Sequence, residues 1–190
     1  MFNDAERLGV QENSMSIAQR VAAVLIVGLA VVGKTYADDV SDANETITRF
    51  KKTDPALDRF FKDSVGYAVF PSVGKGAFIV GGAHGSGVLY ERGEPVGRAS
   101  LTQATVGFQF GGEAYAELIF FETEQVLSNF KSGTFAFSGQ VSGVVLASGA
   151  AANANYQWGV AVFTAAKGGL IVDASLGGQK FNYTPFGKSK

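Results

Sequence analysis

The sequence predicts a mainly β protein of the α+β class, built on a curved antiparallel sheet that is sandwich-like or barrel-like. The first observation that predicts this fold class is the composition, because the 190 residues include 16 Phe and 25 Gly. Phe favours half-buried pleated surfaces, and Gly favours turns, bulges and close backbone approach. The apolar residues also follow a period of two from Val65 onward, as in strands. With 46% hydrophobic and 17% charged residues, the chain has enough apolar material for a buried core.

An apolar run near the N-terminus has the features of a secretory signal. Residues 21–33 contain no charge, Arg20 precedes them, and Thr35 and Ala37 are the small residues expected before a cleavage site. The run is shorter than the roughly 20 residues that span a bilayer. We therefore expect cleavage before Asp38, with a retained membrane anchor as the alternative.

This interpretation sets the expected domain organisation. Residues 1–37 are an N-terminal extension and signal peptide, with 15–37 as the signal proper, and residues 38–190 form one domain. The mature protein is expected to be periplasmic or secreted. Cys is absent, which excludes disulfides, thiolate metal sites and a Cys nucleophile.

Two short helices are predicted to open the domain. Val40, Ala43, Ile47 and Phe50 recur at steps of three and four residues, which is the helical period. Asp54 is then a typical N-cap, with Pro55 at the first position of a second helix that extends through Leu57, Phe60 and Phe61. A third helix is predicted in mid-chain, between Thr123 as its cap and Gly133 as its terminator.

Strands are predicted over the rest of the domain. The polar stretch 91–95 predicts a hairpin turn. The alternation around Val106 and Phe108 predicts a strand after this turn. Tyr156, Trp158, Val160 and Val162 are assigned to one further strand. The segments predicted as strands are 65–70, 76–80, 88–90, 99–109, 113–121, 134–145, 156–162, 168–175 and 179–183.

Nucleotide-binding motifs fail in the Gly-rich segment 74–87. Gly76 and Gly81 have the spacing of a P-loop, but Gly82 and Ala83 stand where Lys and Ser or Thr must reach the phosphates and the magnesium ion. The chain also lacks the alternation of helices and strands that dinucleotide-binding folds require. The glycines of this segment are interpreted as structural, allowing a positive φ or a tight bend.

Catalytic side chains do not form a convincing site. His84 is the one histidine, and Ser86 is two positions away, but no G-x-S-x-G elbow surrounds the serine. The carboxylates Glu113, Glu117, Glu122 and Glu124 cluster along the chain without forming a compelling acid–base pair. The sequence therefore predicts no enzyme and no cofactor, and an enzyme that uses His84 and Ser86 is kept as a third hypothesis.

A basic, aromatic segment is the best candidate for a binding site. The formal net charge of −1 gives no global field that would attract nucleic acid, whereas this segment is locally cationic. It could place aromatic rings among acyl chains and cations against anionic head groups. The alternative is a helix pair whose Phe side packs on the sheet and whose basic face is solvated. The candidate lipid-binding residues are Arg49, Phe50, Lys51, Lys52, Arg59, Phe60 and Lys62.

Three blocks of the sequence together resemble the SYLF domain family. They are GYAVFP at 66–71, VGKGAFIVGGAHGSGVL at 73–89 with Arg92 after it, and GFQFGG at 107–112. The resemblance extends over about residues 40–187, nearly all of the expected mature chain. Any one block alone is weak evidence for the family, whereas the combination of the three blocks is specific.

The resemblance implies a lipid-binding module. Eukaryotic relatives associate with phosphoinositide membranes and, in yeast, with actin patches, and bacterial relatives are exported proteins usually linked to phospholipid binding. The membrane-contacting helix of some eukaryotic members corresponds by position to the segment 49–62. We expect an exported module that binds anionic phospholipid, either by docking on the membrane through the basic helices or by holding an acyl chain within the curved sheet. We do not expect actin as a partner. The alternative is a structural or protein-interaction module of the cell envelope.

Overall fold

The structure is a computed structural model that describes residues 36–74, 82–104, 114–135, 143–167 and 178–187. All of them belong to one compact unit, Tyr36–Lys190. Several predicted features lie outside the described residues. These are the signal segment up to Thr35, the strands at 76–80 and 168–175, the larger part of the strand at 134–145, Glu113, and the third SYLF-like block at 107–112.

Three helices and seven strands form the described part of the domain. The helices are α1 (residues 36–53), α2 (Asp58–Asp63) and α3 (Glu124–Lys131), with 3₁₀ turns at Pro55–Leu57 and Ala150–Asn153. The strands are β1 (Gly66–Gly74), β2 (Gly82–Glu91), β3 (Glu94–Ala104), β4 (Tyr115–Phe121), β5 (Val144–Val145), β6 (Val160–Ala166) and β7 (Gln179–Pro185). The predicted mainly β, α+β class is confirmed.

The strands form one sheet in the order β5-β6-β4-β1-β2-β3-β7. All neighbours pair antiparallel except β5 and β6, which pair parallel through Val144 and Val145. The sheet is therefore mixed where the sequence predicted an antiparallel one. The exception is short, because β5 consists of only these two residues.

The sheet is strongly curled. Strands β4 and β7 are four positions apart in the strand order, which corresponds to about 19 Å in a flat sheet at 4.7–4.9 Å per strand. The side chains of Glu117 on β4 and Gln179 on β7 nevertheless meet at 3.0 Å. Helix α3 packs inside the curl, with the ring of Phe130 lying 4.8 Å from Phe121 and 5.1 Å from Phe181.

Both faces of the sheet are buried, so the domain has two apolar clusters. The outer, convex face carries Val69, Val88, Phe120 and Phe163 and is covered by α1 and α2. The inner, concave face holds residues such as Phe70, Leu101, Ile119, Phe121 and Phe181, together with Leu127 and Phe130 of α3. Strand β4 lies between the two clusters, which is why all seven of its residues are buried.

Local signals placed the turn before α2 and both ends of α3 correctly, whereas α1 already includes residue 36 and its sequence-predicted caps, Asp39 or Ser41, lie inside the helix. The side chain of Asp54 caps the turn before α2 by accepting a hydrogen bond from the backbone N–H of Ala56, and Pro55 follows at the first position. Thr123 caps α3 by accepting from the N–H of Val126, and Gly133 leaves the helix with φ +72°. Both caps satisfy backbone donors that a helix start leaves free.

The strand predicted from Tyr156 to Val162 was wrong in its first half. Trp158 and Gly159 have φ values of +55° and +80° and form a two-residue turn between Gln157 and Val160. Alternating large side chains imitated a strand here, although β6 begins only at Val160. The turn has the positive φ at both central residues that defines type I′.

The described glycines of the Gly-rich segment allow close approach rather than a positive φ. Residues 82–87 belong to β2, and none of them has a positive φ. A β-carbon on Gly87 would lie 2.2 Å from the carbonyl oxygen of Val69, where a bulge interrupts the register of β1 against β2. A side chain at this position would force the two strands apart.

Candidate functional site

The basic, aromatic segment is fixed by Asp54 to the 3₁₀ turn that precedes β6. This carboxylate is 1% exposed and lies between the end of α1 and the turn before α2. Its second oxygen accepts a hydrogen bond of 2.7 Å from the backbone N–H of Ala151, in the 3₁₀ turn that precedes β6. The segment therefore has a defined position on the outer face.

The two predicted lipid-binding aromatic residues lie in the core. Phe50 is fully buried and Phe60 is 2% exposed. The ring of Phe60 stacks on Phe120 at 5.4 Å and meets Phe163 edge-on at 5.1 Å. Phe61 is half-buried against Phe120 as well. This arrangement matches the alternative in which the Phe side of the helix pair packs on the sheet, so acyl-chain insertion by these rings has no support.

Two of the predicted basic residues bind partners within the domain. The Lys51 ammonium forms an ion pair of 2.9 Å with Asp58, and the resulting hydrogen bond lowers the pKa of that carboxyl group. The Arg59 guanidinium donates to the backbone carbonyl oxygens of Ala151, at 2.8 Å, and of Ala154. Arg59 thus fastens α2 to the 3₁₀ turn before β6.

The remaining basic residues, Arg49, Lys52 and Lys62, are exposed. Arg49 and Lys52 line a groove of about 590 Å³ between α1 and the bulged part of β1. Lys167, at the end of β6, lines the same groove, and the backbone N–H of Lys167 donates to Ala114 next to β4. The groove residues are Asp42, Glu45, Thr46, Thr48, Arg49, Lys52, Pro71, Ser72 and Lys167.

Lys167 was missed in the sequence. Lys167 is a single cation after an apolar strand. No local pattern in the sequence indicates that the end of β6 lies beside α1. The fold brings it there because β6 pairs with β4 and β4 pairs with β1. The groove therefore combines three cations from two distant parts of the chain.

His84 and Ser86 line a second, adjoining groove of about 290 Å³ together with Asp39 and Asp42. Among the described residues, no hydrogen bond joins His84 to Ser86. Asp39 is bound to the guanidinium of Arg98, whose Nε donates to it at 2.9 Å. The histidine and serine therefore share a surface without the hydrogen-bonded relay that activates a nucleophile.

A buried polar cluster, formed by Gln103, Tyr115, Glu117, Thr164 and Gln179, lies on the inner face. The Gln179 amide donates to Glu117 at 3.0 Å and to the Tyr115 hydroxyl at 3.2 Å. Burial raises the pKa of Glu117 from 4.5 to about 7, although hydrogen bonds from Gln179 and Tyr115 lower it in part. Among the described residues, the Glu117 Oε1 and the Thr164 hydroxyl have no hydrogen-bond partner.

Two further observations concern membrane-spanning helices and metal-binding clusters in the described part of the chain. The described helices include none with the length and apolar character needed to cross a membrane. The described residues also hold no group of three or more His, Asp or Glu side chains that could bind a metal ion.

Comparison with known proteins finds a distant relative. Over 142 residues the chain is 26% identical to Beta cell expansion factor A of Aeromonas veronii, an alignment that covers 73% of this chain and 53% of that protein. The chain thus spans about half the length of the relative that it matches. No family model matches the chain.

Proposed function

We propose that this protein is an exported, SYLF-like lipid-binding module that docks on anionic phospholipid membranes through the groove beside α1. The observation that carries the proposal is the meeting of Arg49 and Lys52 with Lys167 in one open groove. Phosphate groups of lipids are the ligands for which three converging cations are suited. The SYLF-like blocks support the same class of ligand.

The groove cations are available to a ligand. The described residues contain three ion pairs, Lys51–Asp58, Arg98–Asp39 and Lys131–Glu91, and none of them uses a groove residue. Each basic residue near an anionic membrane contributes roughly 1 kcal/mol, or about fivefold in affinity. Such attraction between exposed charges weakens with added salt.

The proposal concerns the head-group region and not the acyl chains. Phe50 and Phe60 stabilise the outer face from inside the core, and exposing them would cost several kcal/mol. Lys62 is exposed on α2 and adds to the attraction without lining the groove. The protein is therefore expected to bind peripherally and to dissociate at high salt.

Co-sedimentation with vesicles tests the proposal. At low salt the wild-type chain should bind vesicles that contain phosphatidylglycerol and should bind pure phosphatidylcholine vesicles poorly. The triple variant Arg49→Gln, Lys52→Gln and Lys167→Gln should bind about 100-fold more weakly, at roughly 1 kcal/mol per cation. Lys180→Gln, an exposed change on β7, is the control and should bind nearly as the wild type does. The proposal fails if the wild type ignores phosphatidylglycerol or if the triple variant binds normally.

A protein-interaction module of the envelope is a second candidate, favoured by Trp158. Its side chain is 73% exposed at the tip of the turn before β6, and Trp is enriched at the centres of protein interfaces. Crosslinking in cell envelopes should then give a defined adduct that Trp158→Ala abolishes while vesicle binding stays intact. An unchanged adduct pattern would remove this candidate.

A further inference from the structure

The charges in the groove are sorted by sign along α1. Asp42, Glu45, Arg49 and Lys52 follow one another at steps of three, four and three residues, so they form one stripe on the helix. At 1.5 Å per residue, Glu45 and Arg49 lie about 6 Å apart along the helix axis. Along α1 the groove is therefore acidic towards the start of the helix and basic towards its end, and Lys167 lines the same groove from the end of β6.

No ion pair joins these opposite charges among the described residues. Glu45 precedes Arg49 by four residues, which is the favourable order for an ion pair on a helix. The described ion pairs nevertheless include neither of them, nor Asp42 or Lys52. The groove therefore offers carboxylates and cations side by side, each free to meet a charged ligand group.

We propose that the groove binds the head group of an ethanolamine phospholipid, with its phosphate at Arg49, Lys52 and Lys167 and its primary ammonium at Asp42 and Glu45. This inference rests on the proposed function and adds the identity of the head group. The volume of about 590 Å³ leaves room for such a group, and the Ser72 hydroxyl in the groove wall is a further donor for phosphate.

The chemistry of the groove separates ethanolamine from other head groups. A glycerol head group brings only negative charge, which Asp42 and Glu45 repel. A choline head group brings a cation without N–H donors, so it forms no hydrogen bonds with the two carboxylates. A primary ammonium has three donors for them, and hydrogen bonds between charged partners are the stronger kind.

Vesicles of matched charge test the inference. The content of phosphatidylglycerol is held constant while phosphatidylethanolamine replaces phosphatidylcholine. Binding of the wild type should tighten about fivefold, the equivalent of one exposed ion pair of about 1 kcal/mol. The double variant Asp42→Asn and Glu45→Gln should lose this gain and should bind phosphatidylglycerol at least as well as the wild type, because two negative charges are gone.

A second acidic pair supplies the matched control. Glu122→Gln and Glu124→Gln change the net charge by the same amount at exposed positions near the start of α3. This control should keep the gain from ethanolamine. Circular dichroism melting of both double variants checks that they are folded, and exposed helix positions make that outcome expected.

The outcomes separate this inference from the proposed function. No binding to phosphatidylglycerol vesicles overturns the proposed function itself. Normal binding without any gain from phosphatidylethanolamine overturns only the ethanolamine assignment, as does an equal loss of the gain in both acidic double variants. Titration with soluble phosphoethanolamine, followed by NMR, separates a lipid from a free phosphate ester. If the soluble ester shifts the amides of Asp42 to Lys52 while ethanolamine lipid gives no gain, the lipid source is wrong.

Discussion

The two faces of the sheet differ in how they expose charged side chains. On the outer face the covering helices place aromatic rings inside and leave Asp42, Glu45, Arg49 and Lys52 on the surface. On the inner face the curl encloses Glu117 completely among strands. The outer face is therefore suited to binding a charged ligand. On the inner face, the burial of a carboxyl group such as Glu117 lowers the stability of the fold.

Removing one aromatic ring from each face is the strongest test of this comparison. Phe120 contacts Phe60 and Phe61 on the outer face, and Phe130 contacts Phe121 and Phe181 on the inner face. Phe120→Ala and Phe130→Ala should each lower the free energy of unfolding by about 3–5 kcal/mol, measured by urea denaturation.

The double variant shows whether the faces are independent. Phe120 and Phe130 have no common ring neighbour in the described part of the chain, so the two losses should add within about 0.5 kcal/mol. A loss below about 1 kcal/mol for either single variant would mean that its face is not packed as described.

Glu117→Gln should remove a pH dependence that belongs to the inner face. Because burial raises the pKa of Glu117 to about 7 in the folded protein, the folded state holds its proton more tightly than the unfolded state. Stability from this group is fully present below about pH 4.5 and falls as the pH rises to about 7. The total fall is up to about 3 kcal/mol, at about 1.4 kcal/mol per pKa unit.

Urea midpoints measured between these two pH values give the test. The Gln variant has no carboxyl group at this position, so its stability should change less over this interval than that of the wild type. The wild type should lose stability there, and the difference between the two proteins should grow with pH. A parallel pair of curves would show that Glu117 ionises as freely as an exposed carboxyl group.

Asp54→Ala tests the polar anchor of the outer face. The carboxylate accepts from the N–H of Ala56 at 3.1 Å and from the N–H of Ala151 at 2.7 Å. The change leaves a cap unmade and a buried N–H without a partner, and should cost about 2–3 kcal/mol. Asp63→Ala, an exposed change on α2, is the control and should leave the unfolding midpoint nearly unchanged. Equal midpoints for both variants would contradict the anchoring role.

The sequence predicted the features that depend on local chemistry. The class of the fold, the caps Asp54 and Thr123 and the turn between β2 and β3 follow from residue types and spacing. Strand order, curl and the parallel pair β5–β6 do not, because they depend on contacts between residues far apart in the chain. Trp158 shows the limit of periodicity, since a turn and a strand share the same alternation for two residues.

The same limit applies to the candidate site: its local features were predicted from the sequence, and its long-range contacts were not. The spacing of the basic residues located α1 and α2, but it did not tell which cations are committed to the fold. Arg59 binds backbone carbonyl groups and Lys51 binds Asp58, whereas Lys167 lines the groove from the end of β6. Glu117 is the one charged residue in the apolar run YAELIFF. A single carboxylate inside such a run was the available sequence signal of a buried charge.

The turn at Trp158 contacts side chains of both apolar clusters. Substitutions in this turn should give the smallest change in stability among these predictions. The ring of Tyr156 before it packs on Phe60 at 5.4 Å, on the outer side. A β-carbon on Gly159 would lie 2.7 Å from the side chain of Val126 in α3, on the inner side. The turn itself is strained, because Trp is a bulky residue at a φ of +55°.

Replacing Trp158 should therefore change stability according to how the new residue tolerates a positive φ. Trp158→Asn should stabilise the domain by about 0.5–1 kcal/mol, because Asn-Gly is the preferred type I′ pair. Trp158→Val should destabilise it, because a β-branched residue tolerates this conformation poorly. Thermal melting midpoints should move in opposite directions for the two variants. A fall in both would mean that the indole itself stabilises the domain, and that the junction of the two faces is held by its side chain rather than by the backbone.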